Sequence, residues 1–154
     1  MAVPERIPIM HEAGDHSGSI GTYQQGQFLG AIVLARPSVP ALDGSTKPGS
    51  EHWYAVLHLF DHDGRHTSSE IWDAGPHEPG TGAVADRASA YTAGLVQNLA
   101  DAQRGDIAVR PFQLARDGIT FGLIPGSDPV YGDWADLLPN GLRFHAPWNG
   151  EYDT

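Results

Sequence analysis

Three turn dipeptides constrain the fold of this chain more than any other feature. Asp63-Gly64, Asp117-Gly118 and Asn140-Gly141 each separate two runs with strand-like side-chain patterns. Asp-Gly and Asn-Gly favour the positive φ angles of tight turns, so in this position they predict β-hairpins. The flanking runs are 52–62 with 65–72, 107–116 with 119–124, and 134–138 with 142–145. The sequence therefore predicts an antiparallel sheet built from hairpins.

One helix and one central strand complete the predicted fold. Residues 83–104 carry an apolar stripe at helical spacing, and Gly105 is suited to end that helix in a left-handed conformation. Residues 27–36 are apolar on both faces, which indicates a strand covered on both sides. The predicted class is α+β, an antiparallel sheet with one amphipathic helix packed on a face.

The length of 154 residues indicates a single domain spanning 1–154. Residues 1–26 show no sustained period, and we predict that they form an irregular N-terminal arm. Residues 147–154 include two large aromatic side chains close to the end of the chain. Because burial of such rings is strongly stabilising, this segment is predicted to be a packed C-terminal tail.

Composition excludes several classes of function. The chain has no cysteine, which excludes disulfides, thiolate nucleophiles and zinc–sulfur sites. Its net charge is −10, with one lysine and scattered arginines, so it lacks the basic surface that binds nucleic acid. The sequence has no leader and no long apolar run, so we expect a cytoplasmic protein that does not bind a membrane.

Four of the eight histidines lie in or beside the first predicted hairpin. With a two-residue loop, His58 faces Ser69 and Asp61 faces His66. These four residues are the catalytic candidates, because an imidazole beside a hydroxyl or a carboxylate can act as a general base.

The same hairpin offers candidate metal ligands. Asp61, His62 and His66 lie close enough in sequence to share a divalent ion. The competing interpretation is structural: His58 is a hydrogen-bonded core histidine, and the other polar residues form an exposed turn. The sequence favours that interpretation, and we expect no cofactor.

The C-terminal aromatics suggest a ligand-binding surface. Trp134, Trp148 and Tyr152, together with Glu151 and Asp153, are candidates to hold a cation or a partner peptide. Alternatively, the rings only seal the open face of the sheet.

Short runs spread over nearly the whole chain form a recognisable pattern. They are Ile20-Gly21-Thr22-Tyr23, Gly26-Gln27-Phe28, Trp53 to His58, Phe60-Asp61, Asp63-Gly64 with His66, Phe121-Gly122-Leu123, Leu138-Pro139-Asn140 and the ending Pro147-Trp148 to Asp153-Thr154. With these runs the chain resembles a family of small, largely uncharacterised bacterial proteins, some of them labelled formate hydrogenlyase regulatory proteins. The family ending has Asp where this chain has Asn149, so a carboxylate role is not carried over. The resemblance implies one domain and no catalytic residues.

Our leading hypothesis is a non-catalytic cytoplasmic interaction or regulatory protein that acts through a sheet face or the aromatic tail. We expect a homodimer, because the central strands have two apolar faces and one helix covers only one of them. The sequence does not identify a partner protein. The alternatives are a small hydrolase or isomerase that uses the histidines of the first hairpin or a divalent metal, and a small-ligand-binding module at the C-terminal aromatic surface.

Overall fold

The computed structural model describes residues 2–11 and 19–153, without the side chains of Tyr152 and Asp153. Its elements, in chain order, are β1 (Ile7–Ile9), β2 (Ser19–Tyr23), β3 (Gly26–Ala35), β4 (Ser38–Pro40), β5 (Thr46–Pro48), β6 (His52–Phe60), β7 (His66–Pro76), α1 (Ala83–Gln97), β8 (Gln103–Arg104), β9 (Ile107–Val109), β10 (Phe112–Arg116), β11 (Ile119–Asp128), β12 (Gly132–Leu138), β13 (Leu142–His145) and β14 (Tyr152–Asp153). All three predicted hairpins are present, as β6–β7, β10–β11 and β12–β13.

The strands form two five-stranded sheets and two short ribbons. The first sheet has the order β7-β6-β3-β2-β8, and the second sheet has the order β10-β11-β12-β13-β14. The ribbons are β1–β9 and β4–β5, and the pairings described are antiparallel. The α+β class, with antiparallel sheets and one helix packed on a face, is therefore confirmed.

The first sheet lies between the helix and the second sheet, as its alternating side chains show. Tyr54 packs against Phe121 of the second sheet, whereas the next residue, Ala55, packs against Val84 and Ala88 of α1. Successive side chains of a strand point to opposite faces, so a strand in this position must be apolar on both. The prediction that residues 27–36 form a strand covered on both sides is confirmed by the burial of β3.

The second sheet changes the argument for a homodimer. The sequence led us to expect one apolar face of the central strands to be left open by the helix. That face is covered by strands β10 to β13 of the same chain, and the side chains between the two sheets are buried. The fold of the first sheet therefore does not require a second subunit.

The prediction that residues 1–26 form an irregular arm is wrong for the part of that segment that is described. It contains β1 and β2, and Ile7 and Ile9 are fully buried beside Ile107 and Val109. The strands are only three and five residues long, too short to show a period, and β1 pairs with a strand about a hundred residues away. Residues 12–18 lie outside the described residues.

The helix is shorter than predicted. It ends at Gln97, and the chain then forms β8, which pairs with β2 at the edge of the first sheet. The prediction that the helix continues to Arg104 and ends at Gly105 is therefore wrong. The Gly105 N–H donates instead to the Ile20 carbonyl at 3.1 Å. Within the described part of the chain, no helix is both long enough and apolar enough to cross a membrane.

Replacing Gly94 in the middle of α1 is expected to stabilise the protein. A Cβ added there meets no atom within 4 Å, so no close packing requires a glycine. We expect Gly94→Ala to raise the free energy of unfolding by about 0.5–1 kcal/mol, because alanine loses less backbone entropy in a helix. Urea denaturation of the variant measures this, and an unchanged or lower stability would show that the site is not open. Gly126→Ala is the opposite control, since its Cβ would lie 2.6 Å from a tryptophan ring atom.

The C-terminal segment is held against the rest of the protein at three points. The backbone of β14 pairs with β13, and the partly buried Trp148 packs against the core cluster between the sheets. The Met10 N–H donates to the Gly150 carbonyl at 3.1 Å, which joins the tail to the N-terminal segment. Within the segment, β14 (Tyr152–Asp153) thus forms an edge strand of the second sheet.

Candidate functional site

The loop of the first hairpin has three residues instead of the predicted two. The Asp61 N–H donates to the Arg65 carbonyl at 2.9 Å, and the Gly64 N–H donates to the Asp61 carbonyl at 3.0 Å. Gly64 has φ +86°, as expected where a turn is followed by a left-handed residue. This longer loop places Phe60 opposite His66, whereas the two-residue loop would place it opposite Thr67.

A bulge at Thr67 then restores the predicted register. His58 pairs with Ser69, as expected from the sequence. His66, on the turn side of the bulge, comes to the same face as Phe60 and His58, so the prediction that it faces Asp61 is wrong. A shift of one residue moves a side chain to the other face of the sheet.

The structure brings three of the four catalytic candidates together in what we call the histidine–serine cluster (His58, His66 and Ser69). The Ser69 Oγ lies 2.6 Å from His58 Nδ1 and 2.7 Å from His66 Nε2. Since the hydroxyl has one proton to donate, one ring accepts it and the other ring donates its own N–H to the oxygen. The ring of Phe112 covers the cluster from the second sheet, stacked on His66 at 4.7 Å and edge-on to His58 at 4.8 Å.

Burial favours the neutral form of both imidazoles. His58 is 2 % exposed, and its burial, with a smaller contribution from His66, lowers the pKa of His58 to about 3. Burial also lowers the pKa of His66. A general base works best with a pKa near the operating pH, so His58 is poorly suited to remove a proton from Ser69. The cluster instead has the properties of a hydrogen-bonded polar group at the edge of a core, with His58 buried and His66 and Ser69 partly exposed.

The fourth catalytic candidate, Asp61, does not belong to the cluster. Its Oδ1 accepts the N–H groups of Asp63 and Arg65, both at 2.9 Å. The bond from Arg65 is the main reason that the pKa of Asp61 is lowered. This carboxylate therefore stabilises the turn.

The metal candidates do not converge on one point. The His62 Nε2 lies 3.3 Å from the Gln24 carbonyl, His66 bonds to Ser69, and Asp61 caps the turn. Among the described residues, no group of three or more histidines and carboxylates could hold a metal ion.

An open pocket of about 290 Å³, which we call the Trp134 pocket, lies at the outer face of the second sheet. It is lined by Tyr131, Asp133, Trp134, Arg143 and His145. Trp134 pairs with Gly126 on β11 and with His145 on β13. A Cβ added at Gly126 would lie 2.6–2.9 Å from three atoms of the indole, so the ring rests directly on the glycine backbone.

The indole is held from a second side by an ion pair. The Arg143 guanidinium carbon lies 4.4 Å from the centre of the Trp134 ring. Its Nε and Nη2 donate to the two oxygens of Asp136 at 2.8 and 3.1 Å, and the Trp134 Nε1 donates to the same carboxylate at 3.2 Å. These contacts fix the ring before any ligand arrives, which reduces the entropy lost on binding.

The tip of the β11–β12 hairpin presents apolar side chains beside the pocket. Val130 is 80 % exposed and Tyr131 is 84 % exposed. The Asp128 Oδ1 accepts the N–H groups of both residues, at 2.6 and 3.0 Å, so the tip has a defined backbone. Exposed large apolar side chains next to a pocket are typical of a binding surface.

Sequence reasoning found Trp134 but not its neighbours. The predicted hairpin did not place Arg143 and His145 beside it, because a two-residue loop at Asn140-Gly141 would pair residue 139 with residue 142, whereas the structure pairs Leu137 with Leu142. Tyr131 carried no such signal, since the length of β11 beyond residue 124 was not predicted.

Trp148 and Glu151, the other predicted ligand-binding residues with described side chains, do not line the Trp134 pocket. Trp148 packs inward against the core cluster. Glu151 is exposed, and the side chains of Tyr152 and Asp153 lie outside the described residues. The structure therefore does not place the two tryptophans at one surface.

A second cleft, of about 380 Å³, was not predicted. It lies between the first sheet and the β12–β13 turn, and it is lined by Ile32, Val33, Leu34, Trp53, Pro139, Asn140 and Leu142. Its walls come from segments about 100 residues apart, so no local pattern could reveal it. The Trp53 indole N–H is already donated to His77 at 3.1 Å.

No protein-family model, curated protein or solved structure matches this chain. The choice between the candidate sites therefore depends on their own geometry. The histidine–serine cluster is partly buried and covered by Phe112, whereas the Trp134 pocket is open, charged and rigidly supported.

Proposed function

We propose that this protein is a non-catalytic cytoplasmic interaction or regulatory protein that binds a partner protein through the outer face of its second sheet, centred on the Trp134 pocket. The observation that carries the proposal is the exposed Tyr131 beside a fixed tryptophan–arginine pair. Tyrosine, tryptophan and arginine dominate the binding energy of protein interfaces, and they do so most when they are held in place.

The properties of the histidine–serine cluster support a non-catalytic role. Its serine is shared between two neutral imidazoles, and the more buried of the two has a pKa far below the pH at which a base would act. Membership of the small bacterial family that the sequence resembles forms part of the proposal, and it implies no catalytic residues.

Site-specific photo-crosslinking in the cells that naturally express the protein tests the proposal. A benzophenone amino acid placed at Tyr131 is expected to give one discrete protein adduct upon irradiation. The matched control is the same amino acid at Leu42, which is fully exposed on the β4–β5 turn and distant in sequence from the pocket residues. We expect no discrete adduct there.

Two further variants connect the adduct to the pocket. Trp134→Leu removes the indole. Gly126→Ala keeps the indole but displaces it, because the added Cβ would occupy the space of the ring. Both are expected to reduce the adduct at position 131 by more than fivefold. Equal adducts at positions 131 and 42, or an adduct that is insensitive to both variants, would contradict the proposal. An adduct of twice the mass of the chain would identify the partner as a second copy.

A further inference from the structure

We infer that the group entering the Trp134 pocket is a cation, the side chain of a lysine or arginine on the partner protein. This inference rests on the proposed function and specifies the chemistry of its site. The cavity, at about 290 Å³, is at the small end of the range for ligand sites, which suits one side chain better than a large cofactor.

The first argument is a carboxylate without a partner. Asp133 lines the pocket, and within the described part of the chain its carboxylate has no hydrogen bond or ion pair. It differs from Asp136, which is paired with Arg143, and from Asp128, which caps the hairpin tip. An acidic residue in the lining of a pocket attracts a cation.

The second argument is that the basic side chains of the pocket are already engaged. Arg143 is bound in a two-point ion pair with Asp136. The His145 Nδ1 lies 2.8 Å from the Ala146 carbonyl, and since a carbonyl only accepts, this nitrogen donates its proton there. An anionic ligand would therefore compete with existing partners of both residues.

The third argument is the wall formed by Tyr131. Tyr131 is 84 % exposed and lines the pocket together with Asp133. A lysine or arginine head group gains attraction from the face of an aromatic ring within about 6 Å. The aliphatic stem of such a side chain can at the same time cover apolar surface, such as the exposed Val130.

Charge in the surrounding segment favours the same ligand. Residues 128–153 contain five carboxylates and a single arginine, and the whole chain has a net charge of −10. The negative electrostatic potential of these charges accelerates the encounter with a basic partner and disfavours the encounter with an acidic partner.

Titration by NMR with three small probes tests the inference. Nα-acetyl-lysine methylamide carries the cation, its Nε-acetylated form has the same stem without charge, and Nα-acetyl-glutamate methylamide carries an anion. The readout is the indole N–H signal of Trp134, assigned with the Trp134→Phe variant. We expect a saturable shift with the cationic probe only, at millimolar concentration, weakening as salt is added.

Two charge-matched variants locate the effect. Asp133→Asn is expected to weaken binding of the cationic probe by about fivefold. Asp86→Asn removes the same charge from an exposed position on α1 and is expected to change nothing. Equal weakening by both variants would mean that only net charge matters, which overturns the inference.

The outcomes separate this inference from the proposed function. The inference of a cationic ligand would be overturned if the neutral or anionic probe bound as well as the cationic probe, or if the cationic probe caused no shift. Neither outcome would affect the crosslinking result at Tyr131. A pocket-dependent adduct together with failure of the cationic probe would mean that the surface binds a partner of different chemistry. Loss of the pocket-dependent adduct would overturn the proposed function itself.

Discussion

Acidification is expected to lower the free energy of unfolding by roughly 3–5 kcal/mol through His58 alone, as the pH falls from 6.5 towards 3. The pKa of this imidazole is about 3 in the folded protein and has the ordinary value of 6.5 in the unfolded chain. Between these values the unfolded chain binds the extra proton, so protonation favours unfolding. The contribution is fully present above pH 6.5 and is lost progressively as the pH falls. His66, whose pKa is also lowered by burial, adds to the loss in the same direction.

Urea denaturation at pH 6.5 and at pH 4.5 separates the contribution of the histidines to the pH dependence of stability from that of the carboxylates. The carboxylates with lowered pKa values, such as Glu5 and Asp61, lose their contribution at lower pH. His58→Asn keeps an amide near the position of Nδ1 and cannot titrate, so the variant should lose much less stability over this interval than the wild type. His62→Asn, at an exposed histidine, should behave as the wild type. Equal losses in the wild type and His58→Asn would show that His58 is not a buried neutral group.

Truncation of Phe121 is expected to cost about 3–5 kcal/mol of stability, since this ring is fully buried where the two sheets meet. It contacts Tyr54 of the first sheet edge-on, with ring centres 6.3 Å apart. The Phe121→Ala variant would leave a cavity between the sheets that the surrounding strands can fill only in part. Chemical denaturation measures the loss.

A double-mutant cycle tests whether the two sheets are coupled at this point. Val56→Ala, combined with Phe121→Ala, should cost less than the sum of the two single changes, because both residues belong to one packed cluster. Tyr131→Ala, at an exposed ring, should change stability by less than about 0.5 kcal/mol. A loss below about 1 kcal/mol for Phe121→Ala would mean that the second sheet does not close over the first.

The parts of the fold that could be predicted are those determined by local sequence. The β10–β11 hairpin is the clearest case, since Asp117 and Gly118 have φ values of +55° and +75°, both in the left-handed region that such a turn requires. Strands β1 and β8 were missed because they are short and pair with distant segments, and β2 was missed because five residues are too few to show a period, although it pairs with the adjacent β3. The strand β8 also explains the error in helix length, because Gln103 and Arg104 complete a sheet edge that the helical pattern does not show.

The candidate site could be predicted only in part, for a similar reason. The pairing of His58 with Ser69 follows from the hairpin pattern, and the structure confirms it. The predicted position of His66 was wrong because an Asp-Gly turn is compatible with loops of two or three residues. The difference of one residue moves the His66 side chain to the opposite face of the sheet. The Trp134 pocket depends on Gly126, whose role as the support of an indole is visible only when the two strands are aligned.

The β1–β9 ribbon has a consequence for the order of events during biosynthesis. Ile7 pairs with Val109, and both side chains are completely buried in the cluster that joins the two sheets. A nascent chain emerging from the ribosome cannot bury Ile7 against Val109 until about a hundred further residues have been synthesised. Pairings between such distant residues raise the contact order and slow folding. Ile7 and Ile9 therefore stay accessible to chaperones until β9 has been synthesised.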